Sequence, residues 1–146
     1  MILSRKFLHF SQIMKHIDLN YLIGKRVWIG LFAIALCIIA WALEISGNVY
    51  ICPYCRVQRT VIGILGGVLL LPFAYHWIVK YISLVIGVFG IVVACNQHFM
   101  GWKKISLGKF QFNDNIFIDP FLLSGFALTA IVGMICLILQ LPNKNK

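Results

Sequence analysis

Four apolar runs, at residues 27–45, 57–73, 79–99 and 117–141, take up most of this 146-residue chain. A bilayer core needs roughly 20 apolar residues per crossing helix, so each run is long enough to span, the second only just. The runs are continuous rather than alternating, which rules out a closed barrel. Charged residues make up 12% of the chain, against about 25% in a soluble domain. The expected fold class is therefore an all-α membrane protein, a four-transmembrane-helix bundle with an N-terminal amphipathic interfacial helix. No internal repeat or low-complexity linker divides it, so residues 1–146 read as a single domain.

The run boundaries carry their own punctuation. Lys25 and Arg26 precede the first run and Ser46-Gly47-Asn48 follows it. The second stops at Pro72, ahead of Tyr75, His76 and Trp77, and the third is entered through Lys80. Asp119-Pro120 reads as an N-cap with proline at the first helical position. In residues 1–24, Leu3, Phe7, Phe10, Met14, Ile17 and Tyr21 recur at alternating steps of four and three, with Lys6, Lys15 and His16 off that stripe. Such a pattern predicts a helix lying on the cytoplasmic membrane face. It lacks a small-residue cleavage site after the first apolar run, so a cleaved signal is not expected. The loop expected from Gly101 to Ile116 alternates cations with aromatics (Trp102, Lys103, Lys104, Lys109, Phe110, Phe112), as in a segment that rests on the outer leaflet or one that covers the cysteine site.

The net charge of +9 does not point to nucleic acid, because the cations flank apolar runs instead of sharing a soluble face. Anionic lipid headgroups account for them. One side of the expected bundle holds eight Lys and Arg: Arg5, Lys6, Lys15, Lys25, Arg26, Lys80, Lys144 and Lys146. The other holds five: Arg56, Arg59, Lys103, Lys104 and Lys109. The positive-inside bias puts both termini in the cytoplasm and the segment around residue 52 outside, in the compartment where disulfides persist.

Cys52 and Cys55 stand at Cys-x-x-Cys spacing where a polar loop meets the second run. With a helix starting near Pro53, Cys55 would lie where unpaired backbone N–H groups stabilise a thiolate. Arg59 follows one turn deeper on the same face. An arginine just inside a bilayer is costly and is usually functional or paired. Gln58 is an uncharged donor and acceptor on another face. His98 ends the third run at a similar depth, within reach of Arg59 and Cys55 if the second and third helices are antiparallel neighbours. Glu44, one of four acidic residues, is a partner for Arg56 or Arg59, or else a solvated helix end. Cys37 and Cys136 fall inside spans and read as packing residues. Cys95 precedes His98 by three residues. A c-type haem site would need histidine at position 56, which is arginine. Zinc would need two further ligands, for which only Cys95 and His98 are available, and no metal is expected.

Together these residues resemble the DsbB family, the membrane quinone reductases of bacterial disulfide formation. The resemblance covers about residues 25–141. It rests on the string Cys52-x-x-Cys55-x-x-Gln58-Arg59 at the start of the second span, with His98 at the outer end of the third. It implies an inner-membrane bundle with both termini cytoplasmic and a periplasmic Cys52/Cys55 loop. It further implies that Cys52 and Cys55 form the redox disulfide, that Cys55 faces a bound quinone (ubiquinone or menaquinone), and that Arg59 and His98 help to hold it. The electron donor would be a periplasmic thioredoxin-fold, DsbA-like protein. Such a donor has a potential of about −120 mV, so a quinone pool is what makes its reoxidation favourable.

The chain departs from the family pattern at one place. A second cysteine pair normally stands in the loop between the third and fourth spans, and residues 99–117 contain no cysteine. Either a donor thiol attacks Cys52 directly, or another subunit supplies the second pair, or the quinone site is kept without thiol exchange. The last case is the alternative reading: an accessory subunit whose partners are other membrane subunits. Vitamin K epoxide reductase bundles share the architecture, but their redox pair belongs near the end of a late span.

Overall fold

The structure, a computed structural model, describes residues 19–49, 51–113 and 118–142. All regular secondary structure among them is helical. A short helix, α1 (Leu19–Gly24), leads into α2 (Arg26–Ile45), α3 (Pro53–Leu70), α4 (Trp77–Ser106) and α5 (Pro120–Gln140). Helices α2, α4 and α5 are long and apolar enough to cross a membrane. The chain is a membrane protein. Helix α3 has 18 residues and carries Arg56 and Arg59 in its first two turns. The amphipathic segment expected over residues 1–24 lies outside the described residues as far as Asp18.

Local chemistry sets the helix ends. Pro53 and Pro120 each occupy the first helical position, where no N–H is required. Asp119 caps α5, its Oδ1 accepting from the backbone N–H of Phe121 at 2.9 Å and of Leu122 at 3.2 Å. Its other oxygen accepts from Asn113 N–H at 3.0 Å and ties the preceding segment down. Helix α3 ends at Leu70, ahead of Pro72, because the residue before a proline is pushed out of helical geometry. His76 caps α4, accepting from Ile78 N–H.

Helix α4 runs well past the expected 79–99. At 1.5 Å per residue its 30 residues span about 45 Å, against a hydrocarbon core of about 30 Å. The cation–aromatic segment expected to begin as a loop at Gly101 therefore starts as helix. Only from Leu107 does the chain leave it, through Gly108 at φ +65°.

The helices run up and down, with α2 against α3, α4 against α5, and α3 touching both α4 and α5. Close approach of α2 and α3 depends on small residues. A Cβ on Gly30 would lie 2.7 Å from the Gly66 carbonyl oxygen, and one on Gly66 would lie 2.8 Å from Ala33 Cβ. With no hydrophobic force between helices in lipid, such backbone proximity is what gains packing. Leu65, Leu69, Ile131 and Ile138 are fully buried at the centre, while Trp28, Phe89 and Phe126 point outward as lipid-facing side chains do. Away from the cysteines, Lys80 Nζ donates to the carbonyls of Leu139 and Leu141, joining the start of α4 to the end of α5.

Candidate functional site

Cys52 is the N-cap of α3, in extended geometry, and Cys55 lies in the first turn. Their sulfurs are 2.7 Å apart and both cysteines are free thiols. Cys52 Sγ accepts the Cys55 backbone N–H at 3.3 Å. It is thus Cys52, and not Cys55 as the sequence suggested, whose sulfur takes the helix N-terminal donor.

Arg59 lies one turn deeper, as its spacing predicts, but turns toward α2. Its Nη1 donates to the Ala40 carbonyl at 2.9 Å, its Nη2 pairs with Glu44, and the guanidinium lies 4.2 Å from the centre of the Trp41 ring. Glu44 also pairs with Arg56, so one buried carboxylate joins both arginines. The alternative of a solvated helix end for Glu44 is excluded. Arg59 Nε is buried and has no hydrogen-bond partner among the described residues.

These groups sit at one end of a cavity of about 740 Å³ between α2 and α5. Cys52, Cys55, Gln58, Arg59 and Glu44 line that end, and apolar side chains line the rest as far as Leu22 on α1. Phe32 and Phe126, both on its wall, are largely exposed on the outside of the bundle, so the cavity opens sideways.

His98 is not brought to Arg59 or Cys55. Its Nδ1 is 3.1 Å from the Phe121 carbonyl oxygen and 3.2 Å from Ser124 Oγ, and its ring stacks on Phe121 at 4.3 Å. It is absent from the cavity wall. Consecutive residues on a helix point about 100° apart, and it is the preceding residue that faces α3. Gln97 is buried, accepts from Gln58 Nε2 at 2.7 Å, and directs its own Nε2 at Cys55 Sγ (3.5 Å) and Cys52 Sγ (3.8 Å). Sequence reasoning missed Gln97. The clue was present as an uncharged but polar side chain inside an apolar run.

The remaining cysteines stay apart from the pair. Cys95 and Cys136 are exposed, and Cys37 is half-buried and faces Gly63, where an added Cβ would lie 2.7 Å from its sulfur. Cys136 and Cys37 line the cavity further along. No group of three or more metal-ligating side chains occurs among the described residues.

The arrangement combines a redox-capable dithiol, an arginine anchored on α2, and an apolar channel open to the side. An organic molecule with a polar ring and an apolar tail fits these walls: the polar end with Arg59, Gln58 and the cysteines suits the ring, and the apolar lining suits the tail. The family model for disulfide bond formation protein DsbB matches residues 25–111, more than half of the chain, a range that takes in Glu44, Cys52, Cys55, Gln58, Arg59 and Gln97. No curated protein and no solved structure shows significant similarity.

Proposed function

The chain belongs to the DsbB family, whose members form disulfide bonds, and on that premise we propose that it is a thiol:quinone oxidoreductase of the bacterial inner membrane. It takes electrons from a periplasmic thioredoxin-fold, DsbA-like protein through Cys52 and Cys55, and delivers them to ubiquinone or menaquinone. Helix α3 acts as the fourth span, both termini face the cytoplasm, and the cysteine end faces the periplasm. The observation that carries this reading is that the cysteine pair and Arg59 line the same end of one apolar cavity.

In the working cycle the donor's dithiol attacks the Cys52–Cys55 disulfide. The donor leaves as a disulfide, and Cys52 and Cys55 become the pair of thiols described above. A quinone, when bound, supplies the oxidising power by taking up two electrons and two protons. Arg59 would hold a quinone carbonyl at this end of the cavity, while Glu44 keeps the guanidinium in place and balances its charge. Cys55, more exposed than Cys52, faces the cavity. The lining excludes water, so the exchange is confined to the cysteine end. His98 takes no part in this contact, and its role is to fix α4 to α5.

The test is quinone reduction by the purified protein, driven by a small dithiol and by a thioredoxin-fold donor. Wild type is expected to turn over, Cys52→Ser and Cys55→Ser to be inactive, and Arg59→Ala to need far more quinone. A silent wild type that still binds quinone would instead support the accessory-subunit reading, which the cysteine-free stretch at residues 99–117 favours.

A further inference from the structure

The buried stripe of α4 reads Ser83, Gly87, Gly90, Ala94, Gln97, Gly101. Five of these six side chains are small, as close helix packing requires, and Gln97 is the exception. It sits at the level of the cysteines and is only 6% exposed. A buried carboxamide is costly unless its donors and acceptor are all used, so a position that asks only for small size has no packing reason to carry one.

Its amide lies between Gln58 and the two sulfurs. Gln58, 3% exposed, donates Nε2–H to Gln97 Oε1 at 2.7 Å. The carbonyl side is thereby occupied, and the NH₂ group is left facing the sulfurs, nearer to Cys55 than to Cys52. An N–H donor beside sulfur favours the anion over the thiol. Arg59, one turn deeper on α3, directs its hydrogen bond and ion pair to α2. Cys52 has a donor of its own in the Cys55 backbone N–H. Cys52 therefore has a backbone donor besides the longer contact from Gln97, whereas the donor to Cys55 Sγ is Gln97.

We propose that Gln97 is a further catalytic residue of the thiol chemistry, its carboxamide stabilising the Cys55 thiolate, with Gln58 as the positioning residue that orients it. The inference rests on the reading of Cys52 and Cys55 as the redox pair. An uncharged donor suits the place. It supports a negative sulfur without burying a second ion, whereas a carboxylate at 97 would repel it.

The test is the rate of iodoacetamide alkylation of each cysteine in the reduced, full-length protein in detergent. It is followed across pH and read peptide by peptide by mass spectrometry. Gln97→Ala and the near-isosteric Gln97→Met are expected to slow Cys55 about tenfold at neutral pH, as for loss of one hydrogen bond to a charged group. Cys52 should stay close to wild type. Gln97→Glu should slow Cys55 further, and Gln58→Ala should give a smaller effect of the same sign. If Gln97→Ala does not fold, Gln97→Met decides. A wild-type Cys55 profile in a folded Gln97→Met protein overturns the proposal, and so does an equal change at both cysteines. The readout uses neither quinone nor donor protein. A wild type without turnover would therefore sink the proposed function and leave this result standing.

Discussion

Glu44 on α2 and Arg59 on α3 are ion-paired beside the cysteines, and both are nearly closed off from the surface, with side chains 6% and 12% exposed. Arg56 holds the same carboxylate from a more exposed position. Removing one partner of such a pair strands the other charge. Glu44→Ala is expected to lower stability by about 3 kcal/mol, Glu44→Gln by less, and the double variant Glu44→Gln/Arg59→Gln by less than Glu44→Ala. Denaturant titration in detergent checks the order. Wild-type stability in Glu44→Ala would show that the pair is no constraint on the fold.

Neighbouring glycines on α3 are expected to respond with opposite signs. A Cβ at Gly66 meets Ala33, whereas one at Gly67 meets nothing within 4 Å. Gly66→Ala should destabilise by about 1–3 kcal/mol through overpacking. Gly67→Ala should stabilise by up to about 1 kcal/mol through helix propensity. Thermal unfolding of the two variants side by side is sufficient, and effects of the same sign would contradict the α2–α3 packing described here.

Asp119 accepts three backbone N–H groups while itself buried. Asp119→Ala leaves all three without that acceptor and should cost about 2 kcal/mol, the upper end for a cap. Asp119→Asn should retain part of it. Hydrogen exchange at Phe121 and Leu122 is the local readout, and both amides should lose protection before the far end of α5 does.

His98 distinguishes packing from quinone contact. Because its ring is stacked on Phe121 and bonded to α5, His98→Ala should lower the melting temperature. The quinone KM should stay within about twofold, as for a residue outside the binding contact. A KM rise of tenfold or more with unchanged stability would return His98 to the cavity wall.

Much of this was readable from the chain because membrane helices announce themselves by composition. Helix α2 begins within a residue of its apolar run, and the Asp119-Pro120 and Cys52-Pro53 starts follow from the geometry of proline. What could not be read was azimuth. His98 and Gln97 are adjacent in sequence and similar in depth, yet one faces α5 and the other faces the cysteines. Only the packing of α4 against two neighbours decides which. Of the two readings open for Glu44, the structure shows the ion pair. Arg59 lies at the depth its spacing gives, and Glu44, fifteen positions earlier, draws its guanidinium toward α2. The far end of α4 was misplaced because Trp102, Lys103 and Lys104 looked like a loop, and a helix emerging from a bilayer carries the same residues.

The sideways opening of the cavity has a kinetic consequence. A substrate entering there is drawn from a two-dimensional solvent, so the rate should follow its mole fraction among lipids and not its amount per litre. Adding empty lipid to vesicles at fixed quinone should slow turnover by dilution within the plane, while the bulk concentration in the cuvette stays the same.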